Sequence, residues 1–321
     1  MMRERHVANA TLRLFAISLI FRNGRSVPMS ILRIATRSSA QARTQSTAIA
    51  QLLESTHSGL TVELVFVDTT GDQKQDVPLH TIGGQGVFVK EVQAAVLAGR
   101  ADIAVHSAKD LPSTPADGLC IGAFGQRRDP RDVLVGRALN DLAQGATIAT
   151  GSVRRRAQLS AIRRDLQFVE LRGNIPTRLE KIPTDGSIVM AAAALEILGW
   201  TERINEYMAV DVMVPAVGQG CVAIECRIDD EQTRTILADI DDAPSRRAVE
   251  HERAFLAELG SGCSLPVGAY DDGAKMLVYL ASDDGTKHHF ATVPTGSVAS
   301  HDDLLVASRA AAQVARDFVA G

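Results

Sequence analysis

Ala101-Asp102-Ile103-Ala104-Val105-His106-Ser107-Ala108-Lys109-Asp110 is the stretch that decides how this chain is read. A short apolar run of strand length ends abruptly in Ser107, Lys109 and Asp110, so a buried strand delivers a cation and a carboxylate at its C-terminal end. Open α/β sheets hold their ligands at those ends. For one Lys-Asp pair the plain alternative is a solvated surface pair. The arrangement recurs, however. Arg33-Ile34-Ala35-Thr36-Arg37-Ser38-Ser39 ends a strand over 31–36 and opens a helix over 39–57, with Ser39 placed to cap it. Ala149-Thr150-Gly151-Ser152-Val153-Arg154-Arg155-Arg156 and Leu171-Arg172-Gly173-Asn174-Ile175-Pro176-Thr177-Arg178 repeat the turn with hydroxyls, a helix start and clustered arginines. Several anion-binding turns on facing lobes suit a polycarboxylate.

Outward from these turns, a strand over 61–67 precedes a polar segment, 68–86, that contains Gly71, Gly83, Gly84 and Gly86. That is long for a connection inside a domain and reads as a lid. A helix over 87–97 and the strand over 101–106 complete a β-α-β-α-β series, which predicts a parallel sheet with crossover helices. The series repeats with strands at 132–135, 146–150, 167–171 and 187–191 and helices at 152–164, 175–181 and 192–198. Gly125–Arg131 reads as the hinge between the two units, and a strand near 221–226 returns to the first. The remainder differs: a helix over 245–259, strands over 266–270, 275–281 and 288–292, and an Ala-rich helix over 302–319. The expected fold is α/β, with two lobes around a cleft and a small α+β third domain. Its bounds are 29–126 with 214–238, 131–213, and 243–321, after an extension over 1–28.

Composition bounds the function. The chain has 321 residues, 45 % apolar and 22 % charged, which is ordinary for a globular protein of two or three domains. A net charge of −4 and only 4 % aromatics exclude a nucleic-acid-binding reading. The cations are lopsided: 28 Arg against six Lys. Arg127–Arg178 holds 11 Arg, no Lys and five acids, a local net of +6, while Asp229–Gly321 nets −8. Within the basic region Arg127, Arg128, Arg163 and Arg164 read as surface.

Cys120, Cys221, Cys226 and Cys263 have neither the C-x-x-C spacing of a zinc ribbon nor the density of a disulfide scaffold, so reduced thiols are expected and no metal site is assigned. Cys221 and Cys226 lie in a strand-like segment and read as core. Cys263 sits in Gly260-Ser261-Gly262-Cys263-Ser264, a flexible loop that favours a reactive or modified thiol, and no adjacent His or Asn supports a cysteine protease. His288-His289 read as surface, and Asp241-Asp242 and Asp302-Asp303 as turns or helix starts. Residues 1–28 carry five Arg, one acid and an apolar run, 14–21, too short to span a bilayer. Met29 reads as the start of the folded protein, with a presequence as the alternative.

Taken in order from about Leu32 to Phe318, the segments resemble the porphobilinogen deaminase (hydroxymethylbilane synthase) family. The resemblance rests on Arg33–Arg37, Ala101–Asp110, Asp129-Pro130-Arg131-Asp132, Leu171–Asn174, Pro215-Ala216-Val217-Gly218-Gln219-Gly220 and Gly262-Cys263. It implies two lobes similar to periplasmic binding proteins and a dipyrromethane cofactor joined by a thioether to Cys263. It implies head-to-tail condensation of four porphobilinogen molecules into 1-hydroxymethylbilane, with loss of ammonia, in tetrapyrrole (heme) biosynthesis. Porphobilinogen and its oligopyrroles are then the partners of a monomeric cytoplasmic transferase that uses no membrane. Residue by residue, Asp110 matches the catalytic carboxylate. Arg37, Lys109, Arg154, Arg155, Arg172 and Arg178 match carboxylate-binding positions. Ser39, Gln45, Ser107, Thr150, Ser152 and Gln219 match polar contacts, and Phe88 a ring contact beside the lid. The chain departs from the pattern at Ala149, Gly151, Thr70 and Gln85, and at Ile197, where the family carries a carboxylate-binding Arg. Those departures leave two alternatives: a deaminase paralogue of low activity, or a non-catalytic small-anion sensor.

Overall fold

Among the described residues, the apolar runs read as strands form strands, and the strands build three sheets. The structure is a computed structural model that describes residues 30–69, 89–260, 265–282, 284–296 and 300–321. The expectations placed on residues 1–28, on 70–86, on Phe88 and on Cys263 lie outside the described residues.

The chain runs β1 (Ser30–Arg37), α1 (Ala40–Thr56), β2 (Leu60–Val67), α2 (Lys90–Leu97), β3 (Ile103–Ser107) and β4 (Leu119–Phe124). It then crosses to β5 (Asp132–Val135), β6 (Thr147–Ala149), α3 (Val153–Ile162), β7 (Gln167–Val169), α4 (Ile175–Glu180), β8 (Ser187–Ala191), α5 (Ala192–Glu196) and β9 (Glu206–Tyr207). It returns through β10 (Val222–Arg227) and α6 (Glu231–Ala238). Last come α7 (Ala243–Glu258), β11 (Val267–Asp271), β12 (Lys275–Ala281), β13 (His288–Pro294) and α8 (His301–Ala320). The sequence reading had not placed β4, β9 or α6.

The first sheet has the order β2-β1-β3-β10-β4 and the second β7-β6-β8-β5-β9. Both are mixed, which corrects the expectation of parallel sheets. β1 is parallel to β2 and β3, but β10 is antiparallel to β3 and β4. In the second sheet β6 is parallel to β7 and β8, whereas β5 is antiparallel to β8 and β9. The reason is where the chain enters. β10 starts at Val222 opposite Ser107, the C-terminal end of β3, so it enters at the cleft and must run back. β5 starts at Asp132 opposite Ala191, the C-terminal end of β8, for the same reason. Hydrophobic periodicity encodes burial and not direction, so this reversal is invisible in the pattern.

Each lobe buries its own core. Leu32, Ile34, Leu53, Ile103 and Ile224 pack in the first, and Val133, Ile148, Leu159, Ile188 and Leu195 in the second. β11, β12 and β13 form an antiparallel meander. α7 and α8 cover it through Phe255, Leu256, Met276, Val278, Ala312 and Ala315. Helix starts carry the caps their residues favour: Ser39 accepts from Ala42 N, Ser152 from Arg155 N, Asn174 from Thr177 N and Asp242 from Ser245 N.

The interlobe crossings are tied by backbone bonds from Gly125 N to Val222 O and from Arg128 N to Gly220 O, both 2.9 Å. Arg127, read as a surface residue, is not one. Its guanidinium donates to both oxygens of Glu252, at 2.5 and 3.1 Å, and to Gln219 O at 3.0 Å. Glu252 is wholly buried and also accepts from Gly218 N and Asp271 N. One carboxylate on α7 thus joins the crossings to the third sheet.

Gly218 has φ +70°, and a Cβ there lies 2.9 Å from Ala108 Cβ and 3.2 Å from Lys109 N. The turn over 216–219 can approach Lys109 only because no side chain intervenes. Gly218→Ala is expected to destabilise the protein by about 2–4 kcal/mol through left-handed strain and overpacking. Urea denaturation checks this, and a loss under about 1 kcal/mol shows that the turn relaxes freely.

Candidate active site

Three helix starts converge on one cavity of about 400 Å³ between the lobes. Ser39, Ala40 and Gln41 at α1, Thr150, Gly151, Ser152 and Val153 at α3, and Gly173, Asn174 and Ile175 at α4 all line it. The positive ends of the helix dipoles therefore face the same space. Arg37, Lys109, Asp110, Arg154, Arg155, Arg172, Arg178 and Gln219 line it too. Leu111, Met190, Leu198, Val217, Leu256 and Val267 add apolar wall.

The cations are held in different ways. Arg154 Nη1 donates to Asp132 Oδ2 and Val214 O, both at 2.7 Å. Arg155 Nε donates to Asp132 Oδ1 at 2.9 Å and its Nη1 to Val189 O at 2.8 Å. Asp132 is wholly buried and also accepts from Gln219 Nε2 at 3.1 Å. Burial alone would raise the Asp132 carboxyl, but the two guanidiniums and the hydrogen bonds outweigh it and hold it well below the usual carboxylate range. Two arginines share one counter-charge, so the trio keeps a net positive charge toward the cavity. Sequence reasoning quoted Asp132 only as part of a motif. Its signal was an acid opening the otherwise apolar strand Asp132-Val133-Leu134-Val135.

Lys109, Arg155 and Arg178 are cavity cations whose pKa values burial lowers. Burial pulls the Lys109 ammonium down to about 8, with Arg155 and Arg154 adding repulsion and Asp110 opposing. Lys109 Nζ reaches Gln219 Oε1 at 3.4 Å. Burial also lowers Arg178, to about 10, with repulsion from Arg155 and Arg172, and its Nε donates to Gly173 O at 2.8 Å. Burial lowers Arg172, while Glu170 at 3.5 Å opposes. Crowded, desolvated cations of this kind gain free energy when an anion enters.

Gln45 and Ser107 do not line the large cavity. They bond one another, Gln45 Nε2 to Ser107 Oγ at 3.3 Å, and line a 40 Å³ pocket beside it with Arg37, Ser39, His106 and Asp110. Behind it lies a buried set: His106 Nε2 sits 3.0 Å from Glu225 Oε2, and Gln93 Nε2 donates to both Glu225 oxygens. Asp110 therefore borders both spaces. Ile197 follows the end of α5, and Ala194 and Leu198 rather than Ile197 line the cavity. Gly151 has a physical reason: a Cβ there lies 2.7 Å from Glu170 Oε1 and 2.9 Å from Leu171 O.

A dipyrromethane needs apolar walls for two rings, cations for its carboxylates and a covalent anchor. The described residues supply the first two in one cavity. Its wall reaches Leu265, two residues past Cys263. The described residues therefore fit the group.

A family model described as porphobilinogen deaminase, dipyromethane cofactor binding domain, matches residues 32–235, and the model of the C-terminal domain of the same family matches 247–304. A porphobilinogen deaminase of Syntrophotalea carbinolica is 48 % identical over 265 residues, 80 % of this chain and 84 % of that protein. One of Brevibacillus brevis is 41 % identical over 298 residues, 90 % and 96 % of the two chains. Among solved structures, a methionine-bound nutrient binding protein from Burkholderia cenocepacia aligns with a TM-score of 0.43 at 14 % identity, covering 66 % of this chain and 92 % of that one.

Two expectations follow from the charges. Asp132→Asn leaves two buried guanidiniums short of a counter-ion and is expected to cost about 3–5 kcal/mol in denaturant unfolding. Because its folded pKa lies below the unfolded value, the Asp132 contribution is complete above roughly pH 4 and is lost as pH falls further. Lys109 has the opposite consequence. Between about pH 8 and ~10.4 the unfolded chain holds the Lys109 proton and the folded chain does not, so its stability contribution rises with pH. Anion binding falls over the same window, because the ammonium is lost. Titration of a dicarboxylic pyrrole against pH is expected to show weakening near pH 8, absent in Lys109→Gln.

Proposed function

The chain belongs to the porphobilinogen deaminase family, and on that premise we propose how its residues carry the reaction. As a transferase it condenses four porphobilinogen molecules head to tail, releasing ammonia, to give 1-hydroxymethylbilane. The observation that carries the reading is the convergence of Arg37, Lys109, Arg154, Arg155, Arg172 and Arg178 around Asp110 on one cavity. Each porphobilinogen brings an acetate and a propionate, so the site must gain anions with every unit added. Helix starts and guanidiniums are suited to that. The names of the relatives favour this reading over an anion sensor.

When bound, the dipyrromethane supplies the nucleophilic pyrrole carbon. Arg154, Arg155, Arg172 and Arg178 hold its carboxylates and those of the oligopyrroles, and Thr150 and Ser152 add hydrogen bonds. Asp110 is the group that handles charge. As the aminomethyl nitrogen of the substrate takes a proton and departs, a cation develops across the pyrrole. A carboxylate aimed at the pyrrole N–H stabilises that cation and can accept and hold a proton there. Lys109, whose ammonium burial lowers to about 8, adjoins Asp110 and pairs a substrate carboxylate. Arg37 at the end of β1 and Ser39 at the cap of α1 orient the incoming unit from the first lobe. Cys263 carries the cofactor as a thioether, Phe88 contacts a ring, and Gln45, Ser107 and Gln219 support the floor. The enzyme acts as a cytoplasmic monomer without a membrane. Among the described residues no helix is long and apolar enough to cross one.

The test is intact mass and turnover together. Purified protein is expected to exceed its sequence mass by one dipyrromethane at Cys263 and to consume porphobilinogen. Asp110→Asn is expected to keep the added mass and lose about 10²–10⁴-fold in turnover. An unmodified Cys263 in protein from a pyrrole-making host defeats the assignment of the tether. Full turnover in Asp110→Asn defeats the assignment of the carboxylate.

A further inference from the structure

β10 is inserted between β3 and β4, and this places Cys226 directly opposite Cys120 across an antiparallel pair. Their sulfurs are 3.8 Å apart. Cys226 is wholly buried and Cys120 half-buried. The face they share is covered by α6: a Cβ on Gly122 would collide with Leu237 Cδ1 and lie 3.1 Å from Cys226 Sγ, so the helix sits close over the pair. Neither sulfur belongs to the cavity, and the reaction uses neither.

We propose that Cys120 and Cys226 are a covalent modification site, a dithiol that a low-molecular-weight disulfide oxidises to a cross-strand bond. Cα atoms directly opposite in an antiparallel ladder are about 4.5–5.5 Å apart, within the span a disulfide bridges, and the register shift between Ile224 and Glu225 leaves Cys226 paired with Cys120, with the sulfurs 3.8 Å apart. The exchange balances without another reagent. The Cys120 thiolate attacks one sulfur of the reagent disulfide and expels one thiolate, which leaves a mixed disulfide on Cys120. Cys226 loses its proton to solvent and attacks the Cys120 sulfur, expelling the second thiolate. Two protein thiols are oxidised, and one reagent disulfide is reduced to two thiols. The second step is the slow one, because burial, reinforced by the neighbouring Cys120, holds the Cys226 thiol up at about 12.

The placement gives the bond a consequence. Cys120 precedes the first crossing and Cys226 follows the return, so the closed loop contains every residue of the second lobe. Oxidation therefore ties together the two strands by which the chain leaves and re-enters the first lobe. A loop of this length is one whose closure restricts the unfolded chain strongly.

The experiment uses the full chain, reduced and then incubated with oxidised glutathione at neutral to mildly alkaline pH. The expected product has lost the mass of two hydrogens, gives a linked Cys120–Cys226 peptide on non-reducing digestion, and melts several degrees higher until reduced. Cys226→Ala is expected to stop at one glutathione on Cys120. Wild-type protein that yields no linked peptide, whether Cys120 stays free or keeps glutathione, overturns the proposal and leaves the two thiols as core packing.

Discussion

The carboxylate of Asp132 is the constraint on which the cleft depends. It enters at the first residue of β5, is wholly buried, and meets Arg154, Arg155 and Gln219. Removing three charges from water is costly unless each finds partners, and the three groups around Asp132 are each also tied to backbone. Arg154 holds Val214 O, Arg155 holds Val189 O, and Gln219 holds Pro130 O. The consequence is positional. The α3 start, the middle of β8 and both interlobe crossings share one electrostatic knot, and Gln219 passes it to Lys109 in the first lobe. The cations that border the cavity are thereby fixed before any ligand arrives. That is the pre-organisation a site needs if binding is not to be offset by ordering long side chains.

A second carboxylate does the same for the third domain. Glu252 of α7 receives both arms of Arg127, the Gly218 amide and the Asp271 amide, so crossing, glycine turn and β11 meet at one buried group. Arg253, the next residue, donates to Pro112 O and Ser113 O of the first lobe. The third domain is therefore braced against the segment that follows Asp110, and this keeps Leu256, Leu265 and Val267 as part of the cavity wall. Gly218 belongs to the same logic. Its missing side chain lets the turn touch Ala108 and Lys109, and its amide is one of the four donors around Glu252.

How much of this was legible in the sequence follows from what each signal encodes. The strands and helices of both lobes were readable because apolar runs alternate with capped amphipathic segments: β5, β8 and β12 fall on the residues expected, and Ser39 and Ser152 cap their helices. The cavity-lining turns were readable because charge at a strand end has little reason to be there except a ligand or a partner. Strand direction was not readable, since a buried run looks the same whichever way it is threaded. Nor was the fate of Arg127 or the role of Asp132, whose partners lie 125 and 22–23 residues away. A composition count registers an arginine excess but cannot tell which arginines already face a carboxylate. Gly151 is the reverse case. It departs from the family pattern, and its reason is local: Glu170 and Leu171 O fill the space a larger residue needs.

Four of the cavity's cations consequently divide by the way they are held. Arg154 and Arg155 share Asp132 and are held as fixed walls by it and by backbone carbonyls, a task for the planar fork of a guanidinium. Arg178 and Lys109 have lowered pKa values because burial and like charges crowd them, so an arriving carboxylate relieves both costs at once. Only one of the two has a proton that moves near neutrality. A lysine at about 8 adjacent to Asp110 answers to the charge beside it: an added carboxylate raises its affinity for the proton, and a developing cation lowers it. An arginine in that place would bind as well and respond to neither. The choice of lysine at the end of β3 thus couples the charge state of the site to the number of carboxylates it holds, a coupling that matters to a reaction in which that number grows with every cycle.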